Sequence, residues 1–271
     1  MEYWMMLSRD ITIYIVSIFA LTIYSKKASP YQRGFYCDDN SLNLPYKHYK
    51  TWHVTNGTLF GVSISVPILC MVSLEYWRVR QAADKVNART PWSLVCYRIH
   101  ITLRNWAFAF NAVAGLTEML KYSVGRLRPH FFNVCSPDWD AITCNDIDGN
   151  PLYITDIPCT TTELFRLKEA RKSFPSGHAL VATFAMMYLI IYLHARLQHG
   201  PQVVKHFLQA ACAWFAAYTS ATRVLDHAHH WTDVAAGASI GAVTAGLSTI
   251  FASDIFSNKD IIISETRKDR K

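Results

Sequence analysis

Charge is scarce in this chain. Asp, Glu, Lys and Arg make up 17% of its 271 residues, whereas apolar residues make up 51% and are bunched into long runs. A soluble domain disperses its apolar residues among charged ones, so the bunching argues against an ordinary soluble fold. A basic tract interleaved with aromatics is also missing. The net charge of +7 comes mainly from Lys and Arg at the edges of apolar runs, which argues against nucleic acid and points to an anionic membrane surface or an anionic substrate. The N-terminus lacks the charged start, short apolar core and small-residue cleavage site of a removable signal peptide. Its first apolar run, Ile11 to Tyr24, lies between Arg9-Asp10 and Lys26-Lys27, which predicts a signal-anchor span instead.

About 20 apolar residues cross a bilayer as a helix. Six segments meet this requirement: Ser8 to Ser25, Thr58 to Trp77, Ile99 to Tyr122, Ala179 to His194, Val203 to Ala221 and Val234 to Ser253. The expected fold is therefore all-α, a polytopic membrane protein with six transmembrane helices. It forms one domain over 1–271, with a core of about 8–254 and a cytosolic tail at 255–271. Glu75, Lys121 and Lys205 lie near span ends and are expected to reach an interface. Arg104 and Glu118 lie inside the third span and need a protein partner or a wet cavity.

Short flanking loops rich in Lys and Arg stay in the cytosol. Arg78, Arg80, Lys85 and Arg89 follow the second span, Arg196 follows the fourth, and Lys259, Arg267, Lys268, Arg270 and Lys271 fill the tail. Both termini are thus placed inside. The segments Lys26 to Gly57, Ser123 to Gly177 and Arg223 to Asp233 then lie outside. Cys37, Cys135, Cys144 and Cys159 fall in the two large outer loops, consistent with disulfides in an oxidising compartment, and four cysteines permit three pairings. The sequon Asn56-Gly57-Thr58 is also on this side.

Three stretches at span ends on the outer face carry chemistry. The first runs from Lys121 to Arg128-Pro129-His130. Pro129 disfavours helix at Arg128, so the third span is expected to end there, with Lys121 and Arg128 directed into the loop region. The second, Ser173-Phe-Pro175-Ser176-Gly177-His178, opens the fourth span. Its helix-start amides and a Gly permitting close approach suit an anion, with His178 in the first turn. The third runs from Arg223 through His229 to Asp233. A spacing of four puts His229 and Asp233 on one helix face, where the carboxylate would fix the imidazole tautomer and leave the other ring nitrogen as nucleophile or base.

A competing reading makes a zinc site of Asp226, His227, His229, His230 and Asp233. Lys121, Arg128 and Arg223 would oppose metal binding but suit an oxyanion. Three cations, a helix start and two histidines are what phosphoryl transfer demands: charge neutralised on three oxygens, one attacking group and one proton donor.

Lys121-x6-Arg128-Pro129, Pro175-Ser176-Gly177-His178 and Arg223-x5-His229-x3-Asp233 resemble the three signature motifs of the type 2 phosphatidate phosphatase superfamily. Pro30 to Cys37, Lys121 to His130 and His229-His-Trp-Thr-Asp233 are similar to its lipid phosphate phosphatases, the group that includes the Wunen proteins. Thr222 stands where the third motif usually has Ser. The resemblance implies hydrolysis of lipid phosphate monoesters with no metal and no cofactor. His229 would be the nucleophile, Asp233 its orienting partner and His178 the acid, with phosphate held by Lys121, Arg128, Ser176, Gly177 and Arg223. Expected partners are a lipid phosphate and the bilayer, and a homo-oligomer is compatible. The expected location is the plasma membrane with an extracellular site, the alternative being an internal membrane with a lumenal site. The same superfamily holds members that lost catalytic residues and act as membrane interaction proteins, which is the non-enzymatic alternative.

Overall fold

The computed structural model describes residues 2–251, apart from 49, 50, 52, 86–88 and 199. The basic tail expected in the cytosol, and the last two residues of the sixth expected span, lie outside the described residues. Each expected span is a helix. They are α1 (Glu2–Lys27), α2 (Asn56–Lys85), α3 (Trp92–Val124), α6 (Gly177–Arg196), α7 (Gln202–Leu225) and α8 (Trp231–Phe251), with two short helices, α4 (Phe131–Cys135) and α5 (Leu164–Ala170), in the loop after α3. Backbone pairing across the loops amounts to isolated bridges such as Phe35 with Ile154, and no strand is present among the described residues.

Among the described residues, four helices, α1, α2, α6 and α8, are long and apolar enough to cross a membrane. Their large apolar side chains point outward as well as inward: Ile15 and Phe19 of α1 and Val243 and Ile250 of α8 are exposed. Water would penalise such surfaces and lipid would not. The protein is an integral membrane protein.

Helix α6 is the centre of the bundle, with 67% of its apolar stretch buried against 6% for α1. Leu180, Phe184, Tyr188, Leu189 and Tyr192 pack there with Met71 of α2, Trp106 and Val113 of α3, Cys212 of α7 and Ala245 of α8. The approach of α8 depends on small residues at every fourth position, Gly237, Gly241, Ala245 and Thr249, all buried. A Cβ on Gly237 would stand 2.5 Å from the Ser176 carbonyl oxygen, and one on Gly241 2.5 Å from that of Leu180. Such close contact gives dispersion and weak hydrogen bonding where lipid offers no hydrophobic driving force. It also fixes the start of α6 against the start of α8.

Polar contacts attach α1 to α3. The Tyr14 hydroxyl donates to the Arg104 carbonyl at 2.6 Å, Asn111 donates to Ser17, and the Tyr122 hydroxyl donates to the Ser25 carbonyl at 2.6 Å. Arg104 finds the partner it requires in Asp10 at 3.8 Å, and Glu118 finds Lys121 at 3.0 Å. Glu75 and Lys205 do not reach solvent as expected. Both are buried, and Glu75 is enclosed by arginines from three helices. Ion pairing at a helix junction has replaced snorkelling.

The loops beyond α1 and α3 form a separate layer at one end of the bundle. Disulfides Cys37–Cys144 and Cys135–Cys159 tie it together around Phe35, Leu42, Phe131 and Phe132. Of the three pairings open to four cysteines, this is the one formed. Helix α3 stops before Pro129, because Gly125 closes it with left-handed backbone (φ 58°) and its amide donates to the Lys121 carbonyl at 3.2 Å.

Candidate active site

The three motif stretches converge where the C-terminal ends of α3 and α7 meet the N-terminal ends of α6 and α8. Ser176 is the N-cap of α6, so Gly177 and His178 occupy its first turn, and their amides have no carbonyl four residues back to bond. The Ser176 amide is committed elsewhere, donating to the Asp233 carbonyl at 3.0 Å. The Ser176 hydroxyl is buried with no hydrogen-bond partner among the described residues, so it is available to a ligand. Lys121, in the last turn of α3, reaches across to this helix start. A Cβ on Gly177 would lie 3.2 Å from its Nζ.

Arg128 is buried in the loop after α3, 3.9 Å from Glu169, and its amide donates to the Ala170 carbonyl at 2.8 Å. Arg223 is fully buried in the last turn of α7 and donates to Asp226 at 3.1 Å. Arg223, Lys121 and Arg128 are the cations that act on His178, and Arg128 and Lys121 those that act on His229. All eight expected site residues therefore belong to one cluster. His178 is half-buried and hydrogen-bonded to the backbone of Val54, which precedes α2.

One expected contact is replaced by another. Helix α8 begins at Trp231, so His229 lies in the preceding turn and does not share a helix face with Asp233. The His229 Nδ1 instead lies 2.7 Å from the Ser173 carbonyl oxygen. A carbonyl can only accept, so Nδ1 carries the hydrogen and Nε2 keeps its lone pair. Asp233 accepts from Ser173 Oγ at 2.6 Å, from Arg126 at 2.6 Å and from the His230 amide at 3.1 Å. It holds the residue that holds His229, one step removed from the expected role. Its pairing with His230 at i−3 takes the place expected for His229.

The turn from Asp226 to His230 is held on both sides. His227 adopts φ 52°, unusual for a residue with a Cβ. The amides of Ala228 and His229 donate to the Arg223 carbonyl at 3.1 and 3.3 Å, and His130 Nδ1 donates to the His227 carbonyl at 2.8 Å. Burial, then Arg128, pushes the His130 pKa down to about 4, so it is a neutral donor here. The same causes keep His229 well below its ordinary 6.5: burial first, then Arg128 and Lys121. At neutral pH its imidazole is uncharged. Glu169 stays below its ordinary value despite burial, because Lys172 and Arg128 stand beside it.

The zinc arrangement does not assemble. Asp226 is taken by Arg223 and by His53 at 2.7 Å, Asp233 by Ser173, Arg126 and His230, and among the described residues no three His, Cys, Asp or Glu converge. Sequence reasoning gave no role to Ser173, Arg126, Glu169 or His130 and saw in Asp226 only a ligand of the competing zinc reading.

 Of these, Ser173, Arg126 and His130 sit inside the quoted stretches, so residue type was the available signal; that a backbone carbonyl would orient His229 leaves no mark in sequence.

Fold and site define an integral membrane helical bundle with three cations and a neutral imidazole gathered at one end. The chain belongs to the PAP2 superfamily, whose family model matches residues 102–256. A putative phosphatidate phosphatase of Drosophila melanogaster is 36% identical over 91% of this chain and 68% of its own length. Phospholipid phosphatase 2 of Homo sapiens is 31% identical over 93% of this chain and 84% of its own. Among solved structures, a transmembrane PAP2 type phosphatidylglycerolphosphate phosphatase from Bacillus subtilis is 18% identical over 74% of this chain and 76% of that chain, with a TM-score of 0.40.

Proposed function

We propose that this chain is a lipid phosphate phosphatase that hydrolyses phosphatidate, lysophosphatidate, sphingosine 1-phosphate and ceramide 1-phosphate through a phosphohistidine, in lipid signalling and phospholipid metabolism. The carrying observation is the His229–Ser173 contact of 2.7 Å, which leaves Nε2 as a lone pair inside a group of cations. Family membership and relatives named as phosphatases support the same reading.

In the first half-reaction, Lys121, Arg128, Arg223, the Ser176 hydroxyl and the first-turn amides of α6 bind the phosphate oxygens. The Nε2 lone pair of His229 forms a bond to phosphorus as the bond from phosphorus to the lipid oxygen breaks. His178, charged once the phosphate dianion sits among the cations, gives its proton to that leaving oxygen. The phosphorylated ring is cationic, and its Nδ1–H keeps donating to the Ser173 carbonyl. In the second half-reaction, water attacks phosphorus, His178 takes up its proton, and the nitrogen–phosphorus bond breaks to release inorganic phosphate. No metal is used in these steps.

In this reading α3 and α7 also cross the membrane, which gives six spans in one domain over 1–271. The basic loops and tail lie in the cytosol, and the site opens to the extracellular or lumenal side. The test uses purified protein and phosphatidate labelled in its phosphate, in excess EDTA. Phosphate release and an acid-labile, base-stable phosphoprotein are the expected result. Complete loss restored by zinc or magnesium would overturn the mechanism. In intact cells, an impermeant label should reach a tag at Asp148 and miss one at Asp84; the reverse would place the site in the cytosol.

A further inference from the structure

At the other end of the bundle, α2, α3 and α6 bring three arginines onto one carboxylate. Glu75 of α2 is fully buried. Its oxygens lie 3.4 Å from Arg78, 3.5 Å from Arg98 of α3 and 3.4 Å from Arg196 of α6, and one accepts from the Tyr192 hydroxyl at 2.8 Å. Arg196, whose side chain is 5% exposed, already gives Glu75 a countercharge. Joining helices requires one such pair, and every further cation drawn from water costs free energy. Arg78 and Arg98 are therefore surplus to a structural lock, and their charge calls for an anion from outside.

Placement identifies the anion. His178 and Arg196 stand at opposite ends of α6, about 27 Å apart at about 1.5 Å per residue, which is close to the thickness of a hydrocarbon core. The two clusters thus occupy opposite interfaces. Trp77, Trp92 and Tyr97 are exposed beside the arginines, and Tyr76 stacks on Trp92. Such aromatics mark headgroup depth. The side chains of Arg78 and Arg98 are 28% and 20% exposed, so both can be reached from the bilayer surface. A guanidinium fork matches two oxygens of a phosphate.

We infer that Arg78 and Arg98, backed by Arg196, bind the phosphate of an anionic phospholipid headgroup in the leaflet opposite the catalytic face. Glu75 and Tyr192 hold the three guanidinium groups in register. The bound lipid closes the junction of α2, α3 and α6, and a ligand of the folded state stabilises it with the logarithm of its concentration once that exceeds the dissociation constant.

The full chain carrying His229→Ala, which cannot turn lipid over by the proposed route, is purified in neutral detergent with phosphatidylcholine and its melting midpoint is followed. Added phosphatidylglycerol is expected to raise the midpoint, with the rise retained when Lys121→Gln is added to disable the other phosphate site. It should disappear in the Arg78→Gln/Arg98→Gln protein. An equal rise in that protein, or none in the parent, overturns the site. A rise with inorganic phosphate equal to that with phosphatidylglycerol overturns the lipid assignment. If the double variant does not fold, Arg98→Lys keeps the charge and loses the fork, and should weaken apparent phosphatidylglycerol affinity about tenfold; unchanged affinity overturns the proposal. Because the readout is binding, it stands or falls separately from the phosphatase reading.

Discussion

The two ends of α6 solve the same electrostatic problem with different parts. At the Arg196 end, three guanidinium groups, one carboxylate and one phenol meet at Glu75. At the His178 end, Lys121, Arg128 and Arg223 are each held by a separate carboxylate, Glu118, Glu169 and Asp226, and two histidines stand among them. A guanidinium cannot release a proton near neutrality, so the first cluster can bind an anion but cannot transfer protons to or from it. Imidazole can do both, and burial beside cations keeps the His229 ring neutral. Cations gather at both ends, and titratable histidines stand among them at only one of the two.

That contrast breaks most easily at the nucleophile. His229→Ala should lower kcat by at least about 10⁴-fold and abolish the phosphoenzyme, since residues acting as a unit lose nearly everything together. A phosphoenzyme trapped in that variant would move the nucleophile elsewhere. For His178→Ala the loss should be about 10²- to 10⁴-fold with a lipid alkoxide leaving group and far smaller with an activated aryl phosphate, whose oxygen needs no proton. Equal losses on both substrates would show that His178 is not the acid.

Arg128→Met should cost about 10²- to 10³-fold in kcat, as loss of an oxyanion donor does. It should also change the pH profile. Arg128 is the leading charge that lowers the His229 pKa, so the acid limb of kcat/KM, which reports His229 becoming protonated, lies below 6.5 in the parent and should move up towards 6.5 in the variant. An unmoved limb would mean that this limb does not belong to His229.

Ser173→Ala keeps the carbonyl that orients His229 but removes the hydroxyl donated to Asp233. The expected fall in kcat is about tenfold, the scale of one hydrogen bond to a charged group. A loss as large as that of His229→Ala would mean that Asp233 acts on the ring by a more direct route.

The last effect expected is on stability rather than turnover. His130 is neutral in the fold with a pKa of about 4, against 6.5 when unfolded. Between those values the unfolded chain binds the extra proton, so stability is full above pH 6.5 and falls as pH drops towards 4, by at most about 3 kcal/mol. Melting midpoints at pH 7 and pH 4.5 should therefore differ less in His130→Gln than in the parent, and an identical difference would rule His130 out as the source.

Much of this was legible in the chain itself. Six apolar runs specify helices because a segment in lipid must satisfy its backbone internally, and all six are helical. Lys121, Arg128, His178, Arg223 and His229 are each ordinary beside a membrane span but stood out because their stretches coincide on one membrane face, and the fold gathers them at one end. Tertiary structure alone decided how they are held. The Gly237–Gly241 face brings α8 onto α6, and that approach sets Ser173 between His229 and Asp233. Spacing suggested a helical His229–Asp233 pair, but α8 starts at Trp231 and a carbonyl from a distant stretch supplies the contact. Glu75 looked like a snorkelling side chain until three helices were seen to place arginines around it. A sequence states which groups a segment carries and how often they recur along it. The partner of a buried polar group is chosen by which segments pack together, and that depends on the whole chain at once.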